Sequence, residues 1–272
     1  MINNRRRFIT GINGIKLTKN EISFLRKYKP WGVILFSRNI KSINQTQKLT
    51  SKIKKIFNDS KYPILIDEEG GMVSRLNKFI DNSLFSSKFF ADLYLKDKKK
   101  FNIFYNAYVK QICYLLNLLG ININTVPVLD VKRKITSNII GSRSFSSKPS
   151  IVSKLGQICI SKFHKNHIAT VIKHIPGHGL ASVDSHKKLP IVNKNIKLLN
   201  KIDFFPFKKQ SSFLAMTAHI VFKSLDPNNS VTHSKKIIKI IRQKIGYKNI
   251  LMSDDISMKA LKYSISENTT RA

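Results

Sequence analysis

Seven short apolar runs, each followed by a segment with helical spacing, constrain the fold of this chain more than any other feature. The runs are apolar at consecutive positions, which is typical of strands that are buried on both faces of a parallel sheet. Strands that alternate with helices over 272 residues predict an α/β fold, either a barrel or a doubly wound sheet. The predicted strands are Phe8–Ile12, Trp31–Phe36, Pro63–Ile66, Ile121–Val131, Ile168–Ile172, Phe213–His219 and Asn249–Ser253.

The predicted helices lie between these strands and show apolar residues on one face. They cover residues 18–27, 42–57, 101–118, 151–167, 196–208 with a break at Pro206, and the later part of 228–245. Residues 258–263 are predicted to begin one more helix.

Polar motifs stand at the ends of nearly all the predicted strands. They include Asp67-Glu68-Glu69, Asp130, Lys173-His174, His219 and Asp254-Asp255. A doubly wound sheet would collect such residues at one switch point, so their spread favours a TIM-like (β/α)8 barrel. Seven strands are found before the sequence stops at Ala272, which predicts a single domain over residues 1–272, truncated before the eighth strand.

The charge balance is strongly basic, with 49 Lys and Arg against 15 Asp and Glu. The basic residues occur in every segment and no nucleic-acid motif is present, so we predict no specific nucleic-acid partner and only weak polyanion binding. The scarcity of acids makes the carboxylates at strand ends conspicuous, because a charge there is costly without a partner or a purpose.

Several features predict a cytoplasmic protein. The basic N-terminus has no apolar segment behind it, and no apolar run approaches the roughly 20 residues of a membrane span. The two cysteines, Cys113 and Cys159, lie in predicted helices, which favours buried thiols over a disulfide.

The loop Lys173–Pro190 holds three of the seven histidines within thirteen residues. Asp184 and His186 are two residues apart, so in an extended segment they face the same side and the carboxylate can orient the imidazole. Such a pair suits general acid/base catalysis, although a polar surface loop with chance histidines explains this loop alone equally well. His174 and His178 are four residues apart, but Pro176 and Gly177 between them exclude the helix that a metal pair prefers.

The ordered motifs GVILFSRN, LIDEEGGMVSRL, NTVPVLDV, IGSRSF, KHIPGHG with DSH, AMTAHIVF and MSDDISMKAL resemble glycoside hydrolase family 3. The resemblance is to its bacterial cytosolic β-N-acetylglucosaminidases (NagZ-type) and runs from about Ile9 to the C-terminus. It implies a TIM-like barrel that hydrolyses terminal β-linked N-acetylglucosamine with retention. The implied substrates are small muropeptides carrying N-acetylglucosamine on anhydro-N-acetylmuramic acid, with no metal or organic cofactor and a monomer if the barrel is complete.

The resemblance also implies roles for individual residues. Asp254 matches the nucleophile, His186 the general acid/base and Asp184 its partner. The residues matched to binding of the sugar hydroxyls and the N-acetyl group are Asp67, Arg75, Arg143, Lys173 and His174, and His219 and Met258 are expected to line the pocket.

Two departures from the family pattern leave alternatives open. Ser142 stands where an aspartate often precedes the arginine, which leaves Arg143 without that local carboxylate. The family continues beyond Ala272, and an open barrel with apolar edges is predicted to be poorly stable or to self-associate. Another family 3 β-glycosidase, a phosphorylase, or an inactive barrel that binds sugar or polyanion remain as alternatives.

Overall fold

The computed structural model describes residues 5–138, 140–183 and 189–272. The strands are β1 (Arg6–Gly11), β2 (Pro30–Leu35), β3 (Ile64–Ile66), β4 (Ile123–Asn124), β5 (Ala169–Ile175), β6 (Ile191–Val192), β7 (Leu214–Thr217), β8 (Val221–Phe222) and β9 (Ile250–Ser253). The helices are α1 (Lys19–Tyr28), α2 (Ile43–Ile56), α3 (Ser87–Lys96), α4 (Lys98–Leu118), α5 (Pro149–Lys165), α6 (Ile196–Lys201), α7 (Lys235–Ile240) and α8 (Ile265–Arg271).

Seven of these strands form one sheet in the order β1-β2-β3-β4-β5-β7-β9, and every neighbouring pair is parallel. A second, two-stranded ladder joins β6 to β8. Sequence order and spatial order agree along the main sheet, which is how a barrel is wound. The predicted TIM-like barrel, with seven of its eight strands in the described residues, is confirmed.

The two faces of the main sheet bury different sets of side chains. Leu65, Val171 and Met216 belong to an inner apolar cluster, while their neighbours along the strands pack against the helices. Alternate strand residues face opposite sides, so this division follows from the strand period. Ile9 of β1 and Met252 of β9 lie at opposite ends of the sheet and both pack against the inner cluster, so the sheet is curled.

Helix α1 shows how local sequence fixes an element boundary. The hydroxyl of Thr18 accepts a hydrogen bond from the Glu21 amide at 3.1 Å, and the Glu21 carboxylate accepts one from the Thr18 amide at 2.8 Å. This capping box satisfies two amides that the first turn leaves unpaired, and such a cap stabilises a helix by about 0.5–2 kcal/mol.

Three predicted elements differ from the structure. Ile121–Val131 contributes only Ile123–Asn124 to the ladder, with a separate bridge from Val128 to Lys173, because Pro127 cannot donate a ladder hydrogen bond. The helix predicted to begin at Met258 instead begins at Ile265, where the Ser264 side chain caps it. The helix predicted over 196–208 ends at Lys201 and is followed by a short 3-10 turn at Phe205–Phe207.

Both cysteines lie on helices, Cys113 on α4 and Cys159 on α5, and both are buried and free, as predicted. In the described part of the chain, no helix combines the length and the apolar character that crossing a membrane requires.

Candidate active site

Ionisable side chains from three strands meet at one edge of the sheet. Asp67 and Glu69 follow β3, Lys173 and His174 lie near the end of β5, and Asp254 follows β9. The strands are parallel, so their carboxyl ends all reach the same edge, which is where TIM-like barrels carry their active sites.

Lys173 joins the ends of β3 and β5. Its ammonium nitrogen Nζ lies 2.6 Å from Glu69 Oε1 and 3.2 Å from Asp67 Oδ1, and it donates to Thr125 Oγ1 at 2.8 Å. An ammonium group has three donors, so these three contacts use all of them. Burial lowers the pKa of Lys173, but Glu69 and Asp67 raise it above its ordinary value, so this lysine is a fixed positive charge.

Arg143 makes a bidentate contact with the Glu69 carboxylate. Its Nε donates to Oε2 at 2.7 Å and its Nη2 donates to Oε1 at 2.9 Å. Burial alone would raise the pKa of Glu69, but Arg143 and Lys173 hold it well below its usual range. The expectation that Ser142 leaves Arg143 without a nearby carboxylate is therefore incomplete, because Glu69, which is distant in sequence, supplies one.

Asp67 is held by neighbours but stays partly accessible. The Thr125 hydroxyl donates to its Oδ1, and Arg75 Nη2 lies 3.7 Å from its Oδ2. Burial raises the pKa of Asp67, but Lys173 and the Thr125 hydroxyl outweigh this effect and leave it below the ordinary value. The lowered pKa keeps the Asp67 carboxylate ionised, and because 16% of the side chain remains exposed, it is able to accept hydrogen bonds from a ligand.

His174 points from the end of β5 towards the end of β9. Its Nδ1 donates to Asp130 Oδ2 at 2.7 Å, and its Nε2 lies 4.0 Å from Asp254 Oδ2. A separation of 4.0 Å is too long for a hydrogen bond, so both atoms keep their capacity to contact a third group. Asp130 also accepts from the His178 backbone amide at 2.6 Å, which ties the imidazole to the Pro-Gly turn.

His178 is the second imidazole beside this edge, with its ring centre 5.7 Å from that of His174. The ring is buried, and neither nitrogen has a hydrogen-bond partner among the described residues. Burial lowers its pKa to about 4, although Asp130 acts in the opposite direction, so the ring is neutral at neutral pH.

Asp254 has few partners in the part of the chain that the structure describes. Its Oδ1 accepts from the Asp255 amide at 2.8 Å, and His174 Nε2 lies 4.0 Å from its Oδ2. Burial raises the pKa of Asp254, but His174, His219 and, more weakly, Lys173 lower it below the ordinary value, so the carboxylate is ionised. Asp255 points elsewhere, because its Oδ1 accepts from the backbone amide and hydroxyl of Ser257.

His219 and Met258 were expected to line a pocket, and the structure places both beside the turn after β9. His219 Nε2 donates to the Asp255 carbonyl at 3.0 Å, and its Nδ1 lies 2.8 Å from the Thr232 hydroxyl. Both ring nitrogens are thus engaged within the protein, so His219 fixes the Asp254 turn. Met258 is half-buried, and its amide donates to the same Asp255 carbonyl at 3.1 Å.

The structure brings together seven of the residues that sequence analysis assigned to the site: Asp67, Arg75, Arg143, Lys173, His174, His219 and Asp254. Asp184 and His186 lie outside the described residues. The roles of Glu69 and Asp130 were missed, although the scarcity of acids had marked both positions. Thr125 gave no sequence signal, since a threonine near a strand is common. The described residues hold no group of three or more potential metal ligands.

This curled parallel sheet, with buried ion pairs gathered at the carboxyl ends of its strands, defines a barrel of the kind that carries active sites at that edge. The family model for the glycosyl hydrolase family 3 N-terminal domain matches residues 7–272, and the chain belongs to that family.

The chain is 32% identical over 259 residues to a β-hexosaminidase from Shewanella frigidimarina, covering 92% of this chain and 73% of that protein. It is 31% identical over 258 residues to β-hexosaminidase A from Pseudoalteromonas piscicida, covering 87% of this chain but only 42% of that relative. The crystal structure of NagZ from Neisseria gonorrhoeae in complex with N-trifluoroacetyl-D-glucosamine aligns with a TM-score of 0.87 and 27% identity, over 98% of this chain and 78% of that one. These similarities confirm the resemblance to NagZ-type β-hexosaminidases.

Proposed function

We propose that this chain is a retaining exo-β-N-acetylglucosaminidase that removes terminal β-linked N-acetylglucosamine through a covalent glycosyl-enzyme, with Asp254 as the nucleophile. The observation that carries the proposal is the state of the Asp254 carboxylate. It is ionised, its Oδ1 is held by the Asp255 amide, and its Oδ2 has no hydrogen-bond partner among the described residues, with His174 Nε2 4.0 Å away. A nucleophile needs a fixed orientation and one oxygen that no partner occupies.

Attack by Asp254 Oδ2 on the anomeric carbon forms the glycosyl ester while the bond from that carbon to the leaving oxygen breaks. The leaving oxygen needs a proton, which we assign to His186, with Asp184 as its partner. This assignment rests on the sequence motif, since both residues lie outside the described part. A water molecule then cleaves the ester and gives its proton to the imidazole, whose ordinary pKa of about 6.5 suits both transfers.

The charged residues at the ends of β3 and β5 are suited to binding the sugar. Asp67 offers carboxylate oxygens, and Lys173 and Arg143 are held in place by Glu69. His174 Nε2 faces the same edge as Asp254, so it is within reach of a sugar hydroxyl near the reacting carbon. The N-trifluoroacetyl-D-glucosamine in the similar NagZ structure supports an N-acyl hexosamine as the ligand class.

The resemblance to cytosolic enzymes supports a more specific assignment. We propose that the substrates are muropeptides released from peptidoglycan and that the enzyme acts in the cytoplasm during cell-wall recycling, as a monomer if the barrel is complete. These substrates are small and carry N-acetylglucosamine at a free end, as an exo-acting site requires.

The test compares Asp254→Asn with Asp255→Asn on p-nitrophenyl β-N-acetylglucosaminide. Loss of the nucleophile is expected to reduce kcat/KM at least about 1,000-fold, as losses of catalytic nucleophiles commonly do. Asp255→Asn is the matched control, since its carboxylate turns away towards Ser257, and it is expected to retain turnover within about 10-fold. Full activity in Asp254→Asn would contradict the assignment.

The product distinguishes hydrolysis from phosphorolysis. A histidine acid/base lacks the negative charge with which a carboxylate would repel phosphate, so phosphate is a conceivable acceptor. We expect free N-acetylglucosamine at all phosphate concentrations. Release of the sugar 1-phosphate in proportion to added phosphate would replace hydrolase with phosphorylase, and salt-dependent sugar binding without turnover would indicate an inactive barrel.

A further inference from the structure

Two segments beside the candidate site are joined by hydrogen bonds. One is residues 131–137, which follow Asp130, and the other is residues 174–181, which contain the Pro176-Gly177 turn. The Thr136 hydroxyl donates to the Gly179 carbonyl at 2.5 Å, and the Ser137 amide donates to the Ala181 carbonyl at 2.9 Å. A Cβ at position 179 would lie 2.0 Å from the Val131 carbonyl oxygen, so only glycine permits this approach.

A buried ion pair between Arg133 and Asp203 contacts both segments. Arg133, in the first segment, donates from Nη2 to Asp203 Oδ2 at 2.9 Å. Asp203, which follows α6, packs directly against the second segment. A Cβ added at Gly177 would lie only 2.9 Å from Asp203 Cβ. The pair therefore contacts one segment through its arginine and the other through its aspartate.

A contribution to the stability of the fold does not explain the presence of this ion pair. The Asp203 side chain is only 1% exposed, and Asp203 Oδ1 and Arg133 Nε are buried without a hydrogen-bond partner among the described residues. A buried pair with unsatisfied atoms commonly contributes no more stability than an apolar pair of the same size. Burial raises the pKa of Asp203 to about 6 although Arg133 lowers it, which agrees with a pair that costs free energy.

The supported segment carries residues of the proposed reaction. It includes His174 and His178, which bind Asp130, and in the sequence Asp184 and His186 follow Ala181 by three and five residues. A fixed geometry matters here, because a displacement of about 1 Å in a reacting group can cost about 100-fold in rate.

We propose that Arg133 and Asp203 are positioning residues for proton transfer, which hold residues 174–181, the segment that precedes the proposed acid/base His186 in the sequence. This inference rests on the proposed glycosidase function. Neither residue is expected to touch the substrate.

A positioning role in proton transfer predicts a dependence on the leaving group. A phenyl glycoside releases a phenol with an ordinary pKa of about 10, so its departure needs the acid, whereas a dinitrophenyl glycoside releases a stable anion without one. In Asp203→Asn, kcat/KM is expected to fall about 10- to 100-fold for the phenyl β-N-acetylglucosaminide and less than about 3-fold for the dinitrophenyl one. Arg133→Gln is the second variant and is expected to show the same ratio.

Asp226→Asn is the matched control. Asp226 is a buried carboxylate whose oxygens bind Ser234 and Asn229, in a loop outside residues 174–181. Its loss is expected to change both substrates by the same factor. Equal losses for the two substrates in Asp203→Asn and Arg133→Gln, or no loss in either, would overturn the positioning role while leaving the proposed function intact. Wild-type protein that releases neither phenol would overturn both.

Discussion

Glu69, after β3, and Asp254, after β9, are both ionised acids at the same edge of the sheet, but their surroundings differ in the number of partners. Glu69 receives two hydrogen bonds from Arg143 and one close contact from Lys173, and its side chain is 3% exposed. Within the described part of the chain, Asp254 accepts a hydrogen bond from one backbone amide, and its side chain is 23% exposed. The first acid is saturated by the protein, whereas the second keeps an oxygen for another molecule.

The strands that carry these acids differ in the same way. All residues of β3 are buried, whereas those of β9, at the end of the sheet, are partly or fully exposed. A central strand can support a buried network because both of its neighbours exclude water and lower the local dielectric. The comparison teaches that the centre of the sheet provides fixed charges for recognition, and its end provides the accessible group for chemistry.

Replacing Glu69 with Gln is expected to produce the largest change in stability. The amide leaves the buried cations Lys173 and Arg143 with one negative charge fewer, and removing one partner of a buried pair commonly costs about 3–5 kcal/mol. Urea unfolding should show this loss in the free energy of unfolding. The control is Glu267→Gln, whose exposed pair with Arg271 is expected to contribute less than about 1 kcal/mol. Similar losses of unfolding free energy in the two variants would contradict the view that Glu69 is the centre of a stabilising buried network.

Acidification is expected to weaken the centre of the sheet next. Burial opposes ionisation of Asp67, Glu69 and Asp130, but their partners hold the pKa of each below its ordinary value. A depressed pKa means that the stabilisation is complete above the unfolded pKa of about 4 and is lost as the pH falls through the folded one. Asp203 acts in reverse, because its pKa is raised to about 6 and its contribution weakens as the pH rises from about 4 to 6.

The free energy of unfolding, measured by urea titration between pH 3 and 7, is therefore expected to fall steeply below about pH 4. The same titration on Glu69→Gln should show a shallower fall, since one of the three carboxylates is absent. A wild-type curve that stays level down to pH 3 would mean that these carboxylates are not stabilised in the folded state.

The sequence predicted the fold better than it predicted the site. Apolar runs such as Ile64–Ile66 identify buried strands because burial on both faces leaves no alternation. The contact between Glu69 and Lys173 crosses more than a hundred positions, so no local pattern encodes it. Family motifs supplied Asp67 and Lys173 individually, but only the folded chain reveals that Thr125 lies between them.

Local signals also failed where tertiary packing overrides them. Helix α3 was missed, although Ser86 caps it, because its aromatic residues have modest helix propensity. Phe90 compensates by packing against Tyr105 and Tyr108 of α4, with ring centres 4.8 and 4.9 Å away. Helical stability here comes from burial of an aromatic face, which a propensity scale does not register.

Asp254→Asn is expected to change stability least, and this variant gives the sharpest contrast between Asp254 and Glu69. The amide oxygen of asparagine can still accept the hydrogen bond from the Asp255 amide, and the lost charge has no close ion pair among the described residues, so the free energy of unfolding is expected to change by less than about 1 kcal/mol. The same variant is expected to lose turnover, whereas Glu69→Gln loses stability. Urea unfolding of both variants under identical conditions measures the contrast. A loss in Asp254→Asn as large as that in Glu69→Gln would place Asp254 inside the saturated network, and its carboxylate would then have no oxygen to offer a sugar.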